Sequence, residues 1–168
     1  MDSGRYALYE VVITEHADNR ADVSALLDDA RPRLERALVA RFGIDDGLDA
    51  AAEALAYGVE HWPKLSTMTN PIGYLYRVGD TAGQRLRRRW NRVAALVEEP
   101  QSVDQPLDVD LQRALLKLKP EHRVAVVLVY AHGYSYAEAA DVLDVPLTTI
   151  TNYLNRGLAR LRTVVEAK

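Results

Sequence analysis

Ser135 and Glu138 stand three residues apart just ahead of a helical pattern, and this pair constrains the fold more than any other feature of the chain. A serine hydroxyl before a helix accepts from the third helical amide, while a glutamate there accepts from the serine's own amide. The pair therefore fixes the start of a short helix, "YAEAADVLD", in which Ala139 and Ala140 are small enough for a second helix to cross closely. The turn "DVP" leads at once into "LTTITNYLNRGLARLRTVV". At about 100° per residue, Ile150, Leu154, Gly157 and Leu161 gather on one side of this second helix and face a core. Thr148, Asn152, Asn155 and Arg156 lie opposite, with Thr149 and Thr151 at the edges. Asn bonds adenine in a bidentate way, Thr bonds a base edge or touches a thymine methyl, and Arg pairs with guanine or phosphate. A helical hairpin with a solvated polar face is the plainer alternative. The cap, the tight turn and the arginine tail together favour a nucleic-acid role.

Charge distribution carries more than the net value of −3. Residues 1–84 hold eight basic and fourteen acidic side chains, whereas "RLRRRWNR" over 85–92 holds five arginines and no acid. Residues 93–110 add five acids without a base, and 111–168 hold eight bases against five acids. Two positive zones thus alternate with two acidic ones. Arginines at a helix end complement the helix dipole, but Arg85, Arg87, Arg88, Arg89 and Arg92 around Trp90 exceed that need and suit phosphate. With no cysteine, disulfides and thiolate metal sites are excluded, which fits a cytoplasmic protein. The four histidines lack ligand spacing, no apolar run reaches membrane-spanning length, and the N-terminus does not read as a signal peptide. No paired acids, nucleophile–base arrangement or phosphate loop stands out, so no catalytic residue, metal site or cofactor is expected.

The rest of the chain also reads as helices. Asp22 is expected to cap "VSALLDDARPRLERALVARF", where Leu26, Leu27, Leu34, Leu38 and Phe42 recur at helical spacing, Pro32 kinks or divides the run, and Gly43 stops it. "DDGLDAAAEALAYGVEHW" predicts an alanine-rich helix with Leu48, Ala52, Leu55 and Val59 on one side, ended by Pro63. A further helix carries Ile72, Leu75, Val78, Ala82 and Leu86, with Gly73, Gly79 and Gly83 implying close packing. The segment "RYALYEVVIT" is compatible with a strand, an extra helical turn or an ordered extension. "EEPQSVDQPLDVD" reads as a linker. After it, Pro120 opens a helix and Gly133 closes one. The expectation is an all-α protein of two small helical domains on a flexible linker, the second a four-helix domain with a helix-turn-helix. Residues 1–21 form an extension, 22–97 the first domain, 98–110 the linker and 111–168 the second domain.

The run "LKPEHRVAVVLVYAHGYSYAEAADVLDVPLTTITNYLNRGLARLR" resembles region 4 of bacterial RNA polymerase sigma factors of the extracytoplasmic-function type. "ARPRL", "DAAAE" and "YLYRVGDTAGQRLRRR" resemble parts of region 2 in the same family. The resemblance implies a transcription initiation factor whose region 4 reads the −35 promoter element through Thr148, Thr149, Thr151, Asn152, Asn155 and Arg156. It implies that Tyr74, Arg77, Arg85, Arg87, Arg88 and Arg89 hold the −10 strand, and that Asp49 and Glu53 dock on the polymerase. The implied partners are core RNA polymerase, promoter DNA and an anti-sigma factor, with no membrane. The chain departs from the family at Tyr74, usually Trp, and at Ala52, usually Gln. It departs again at Asp80 and Thr81, usually a basic–Asn pair, and at Thr151 and Tyr153, usually basic. Asp80 is expected to repel single-stranded DNA. A divergent sigma-like interaction module and a dimeric helix-turn-helix repressor are the competing readings.

Overall fold

The computed structural model describes the backbone of residues 3–94 and 109–166, and side chains over 21–89 and 111–163. Helix α1 runs from Ser3 to Phe42, so the N-terminal segment is helical and no cap interrupts the chain at Asp22. Pro32 lies inside this helix without dividing it. The gain from burying the face around Ala30, Leu34, Ala37 and Leu38 outweighs the one ladder bond that a proline removes. Gly43 takes φ 96°, a left-handed conformation that glycine adopts freely, and this reverses the chain into α2 (Ile44–Glu60).

Helix α2 packs through a small-residue face rather than through the aliphatic one expected. Gly47, Ala50, Ala51, Ala54, Leu55 and Gly58 are buried, while Leu48 and Val59 stay 44% and 54% exposed. A Cβ at Gly47 would stand 2.5 Å from the Val39 Cα, so α1 and α2 cross backbone on backbone. Periodicity marked the larger side chains as inward; close helix approach selected the smaller ones. A short α3 (Trp62–Leu65), with Pro63 in its first turn, leads to α4 (Pro71–Ala94). The Asn70 side-chain oxygen caps α4 by accepting from the Gly73 amide at 2.9 Å. Leu75 and Ala82 are buried, and Gly79 lets α4 approach Leu38 and the Ala50 carbonyl.

The second half comprises α5 (Val109–Leu116), α6 (Pro120–Val126), α7 (Tyr136–Leu143) and α8 (Leu147–Glu166). Helix α6 continues as a π-helical turn over Val127–Ala131, a widening that the sequence reading did not anticipate. The expected capping box is present: the Glu138 amide donates to Ser135 Oγ at 3.1 Å, and the Ser135 amide to Glu138 Oε2 at 2.8 Å. These bonds hold the Glu138 carboxyl below its ordinary pKa, the backbone donor being the larger cause. Ser135→Ala should lower stability by about 1 kcal/mol in chemical denaturation, and an unchanged midpoint would count against the cap.

The linker expected over 98–110 lies almost wholly outside the described residues. The helices on either side of it share one continuous core, from Leu34 and Leu75 to Val124, Leu128 and Ile150. Polar contacts edge this junction. Arg123 Nε donates to the Ala40 carbonyl at 2.8 Å and Nη2 to that of Arg41 at 2.7 Å, placing a cation on the C-terminal end of α1. Burial is the first cause that lowers the Arg123 pKa, with Arg87 and Arg41 adding repulsion. Arg36 Nη1 donates to the Tyr134 hydroxyl at 3.2 Å.

Candidate nucleic-acid interface

Helix α8 splits as its periodicity predicts. Ile150, Leu154 and Gly157 are buried, with Leu161 packed at the edge of the core. Thr148, Asn152, Asn155 and Arg156 are exposed on the opposite side, and Thr149 and Thr151 are half-buried at its margins. The turn before α8 is set by Asp144, whose φ of 52° is left-handed and terminates α7. Aspartate tolerates this conformation better than most side chains. The result is a short supporting helix crossed by a longer one whose polar face is open.

The first-half candidates meet more varied surroundings. At about 100° per residue, Tyr74, Arg77, Arg85, Arg88 and Arg89 fall in a sector of α4 about 120° wide, with Arg87 outside it. The Tyr74 hydroxyl accepts from Lys64 Nζ at 3.0 Å and lies 3.2 Å from the Tyr57 hydroxyl. The bond to Tyr57, then that to Lys64, lowers the Tyr74 pKa, and the same contacts raise those of Tyr57 and Lys64. Arg77 pairs with Asp144 at 2.6 Å. Arg85 Nη2 reaches both carboxylate oxygens of Glu53 at 2.6 Å, so a residue expected on DNA and one expected on the polymerase hold each other. Both are largely exposed, and such a pair exchanges readily for other partners. Arg87 and Arg88 line a cleft of about 220 Å³ with Arg41, Phe42, Gln84 and Pro120. Arg89 is exposed, as are Asp49 and Glu53 on α2. Trp90 and Arg92 lie outside the described side chains. Among the described residues, no group of three His, Cys, Asp or Glu is placed to hold a metal ion.

Comparison with known proteins bears on this geometry directly. The family model for sigma-70, region 4 matches residues 108–161, from the start of α5 to Leu161 within α8. The ECF RNA polymerase sigma factor SigE of Mycolicibacterium smegmatis is 35% identical over 105 residues. Residues 108–161 match the sigma-70 region 4 family, and the chain is similar to an extracytoplasmic-function sigma factor. The SigE alignment takes in 61% of this chain and 41% of that protein, so less than half of the relative's length is matched. Among solved structures, the sigma factor RpoE in complex with the anti-sigma factor NepR from Bartonella quintana shares the fold, at a TM-score of 0.58 and 22% identity. That similarity covers 89% of this chain and 97% of the RpoE chain.

Within this chain, three positions of altered charge have local explanations. Asp80 is expected to repel DNA, but it forms an ion pair with Arg41 and accepts from Gln84 Nε2 at 2.8 Å. Its charge is neutralised at the junction, and the side chain is only 22% exposed. In region 4, Thr151 donates its hydroxyl to the Leu147 carbonyl at 3.1 Å. Tyr153 turns inward against His122, with ring centroids 5.5 Å apart. Thr151 is thus held on its own helix, and Tyr153 packs against the core.

Burial lowers the pKa of His122. The unfolded chain therefore binds this proton more readily, so stability is full above about pH 6.5 and falls as pH drops toward the folded value. The melting temperature should decrease between about pH 7 and about pH 5.5, and His122→Gln should flatten part of that slope. An unchanged slope in the variant would contradict the assignment. Sequence reading missed Asn70, Asp144, Tyr57 and Lys64, since each acts through a contact with another helix or turn. No helix of the structure is long and apolar enough to cross a membrane, among the described residues.

Proposed function

We propose that this chain directs core RNA polymerase to promoter DNA, with α8 in the major groove of a −35-like element. The observation that carries the reading is the polar face Thr148, Asn152, Asn155 and Arg156, left open on a helix whose other side is buried in a region 4 domain. Asn152 and Asn155 supply base-edge contacts, Arg156 pairs with guanine or phosphate, and Thr148, Thr149 and Thr151 flank them. This open face favours a DNA reader over a module that acts only through protein contacts.

Residues 22–97 act as region 2 in this proposal. Asp49 and Glu53 flank the exposed Leu48, Ala52 and Val59 on α2, an apolar strip with an acidic border suited to a basic, amphipathic helix of the polymerase. Tyr74, Arg77, Arg85, Arg87, Arg88 and Arg89 hold the −10 strand through stacking and phosphate contacts. No covalent chemistry is involved: binding energy from polymerase and DNA offsets strand opening. An anti-sigma protein would act by covering one of these faces. The test is selection of duplexes from a random pool by the chain bound to core polymerase. The reading expects enrichment of a short motif, and a salt slope that falls by about one unit in Arg156→Ala. An unenriched pool would contradict it.

A further inference from the structure

Where α4 passes the end of α1 and the start of α6, the surface opens into a cleft of about 220 Å³. Arg41 and Phe42 of α1, Gln84, Arg87 and Arg88 of α4, and Pro120 of α6 line it. At about 100° per residue, Gln84, Arg87 and Arg88 share a sector of α4 about 100° wide, so these side chains leave the helix together. The wall opposite them is fixed by packing. A Cβ at Gly83 would overlap the Phe42 ring, so the ring sits directly on the α4 backbone. The Arg41 guanidinium lies 5.6 Å from the centre of that ring. Asp80 pairs with Arg41 and answers one of the three cations. Among the described residues, no carboxylate pairs with Arg87 or Arg88, and both are exposed. Arg123 senses the same charge: after burial, repulsion from Arg87 and Arg41 lowers its pKa.

We propose that this cleft binds a small soluble anion through a diphosphate group, either free diphosphate or the diphosphate of a nucleotide. Guanidinium groups match phosphate oxygens two at a time, and Arg87 and Arg88 offer two such forks side by side. Gln84 Nε2 gives one hydrogen to Asp80 Oδ2 at 2.8 Å, which leaves its second hydrogen for the anion. The cleft is smaller than the roughly 300–1,000 Å³ of sites that enclose a whole small molecule. It therefore holds the charged group and leaves any remainder of the ligand outside. Bound there, the anion ties the end of α1 to α4 and stabilises the folded chain by mass action. On the proposed function it also withdraws Arg87 and Arg88 from the −10 strand, a consequence that rests on that reading while the site does not.

Isothermal titration calorimetry of the full chain with sodium diphosphate, at constant ionic strength, should show one saturable site. Arg87→Gln and Arg88→Gln each remove one exposed guanidinium and should weaken binding about tenfold. Arg89→Gln lies in the same arginine run but off the cleft, and should change the affinity by less than about twofold. The melting temperature should rise with diphosphate in wild type and stay flat in Arg88→Gln. Titration with adenosine diphosphate separates the two sources. Equal affinity supports a site for the phosphates alone, and tighter binding supports a nucleotide whose base rests on Phe42. Absence of saturable binding in wild type would overturn the site, as would equal weakening by Arg89→Gln, the mark of general attraction to the arginine run. Diphosphate that binds as expected but fails to displace a short labelled single-stranded DNA would instead contradict the −10 assignment of Arg87 and Arg88, leaving the site to stand.

Discussion

Leu38→Ala is expected to lower stability by about 2–5 kcal/mol, the largest effect of any single change considered for this chain. Leu38 is fully buried on α1, where it meets Gly79 of α4 and the alanine face of α2. Gly79 has no side chain with which to refill the space, and Ala50 and Ala54 are too short to collapse into it. The loss therefore includes a persistent cavity as well as the transfer energy of the removed methyls. Leu48→Ala is the matched control, because Leu48 sits on α2 but is exposed. Its effect on stability should stay within about 0.5 kcal/mol. Chemical denaturation of the two variants distinguishes a buried leucine from an exposed one that shares an apolar helix side with Leu55. Equal losses would contradict the packing of α2 described above. On the proposed function, Leu48→Ala should also weaken binding to core polymerase while leaving the fold intact.

Asn152→Ala should reduce discrimination at one position of the selected DNA motif by about 1–3 kcal/mol, or roughly 5- to 150-fold. Asn152 is exposed near the middle of the open α8 face, and the buried Ile150 and Leu154 lie two residues to either side. Truncation of Asn152 therefore leaves the helix anchored. Competition binding against duplexes altered one base pair at a time would locate the affected position. A uniform loss across all sequences would place Asn152 on the phosphate backbone instead.

The helices and the polar face of α8 were legible in the sequence because both follow from local rules. The Ser135–Glu138 box, Pro120, Gly43 and Gly133 each act within one turn of chain, and the 3.6-residue period separated Ile150 and Leu154 from Asn152 and Asn155. What remained hidden depends on contacts between distant segments. Asp80 read as a repulsive charge because nothing in its neighbourhood of sequence names Arg41 as its partner. Leu48 and Val59 read as core because periodicity ranks side chains by size, whereas two helices in backbone contact bury glycine and alanine. Pro32 and Asp22 read as boundaries because local propensity favours a break there; packing of α1 overrode it. The docking of the Asp144 turn on Gly73 had no sequence signal at all, since it joins residues about seventy positions apart.

The central proposal, that this chain reads a promoter and opens it with polymerase, is tested most directly by run-off transcription. Purified chain and core RNA polymerase would be mixed with a library of promoter fragments and the transcripts sequenced. The account predicts transcripts with defined start sites downstream of one shared pair of motifs, lost together in Asn152→Ala and Arg156→Ala. Polymerase binding by the chain without any such transcript would contradict it.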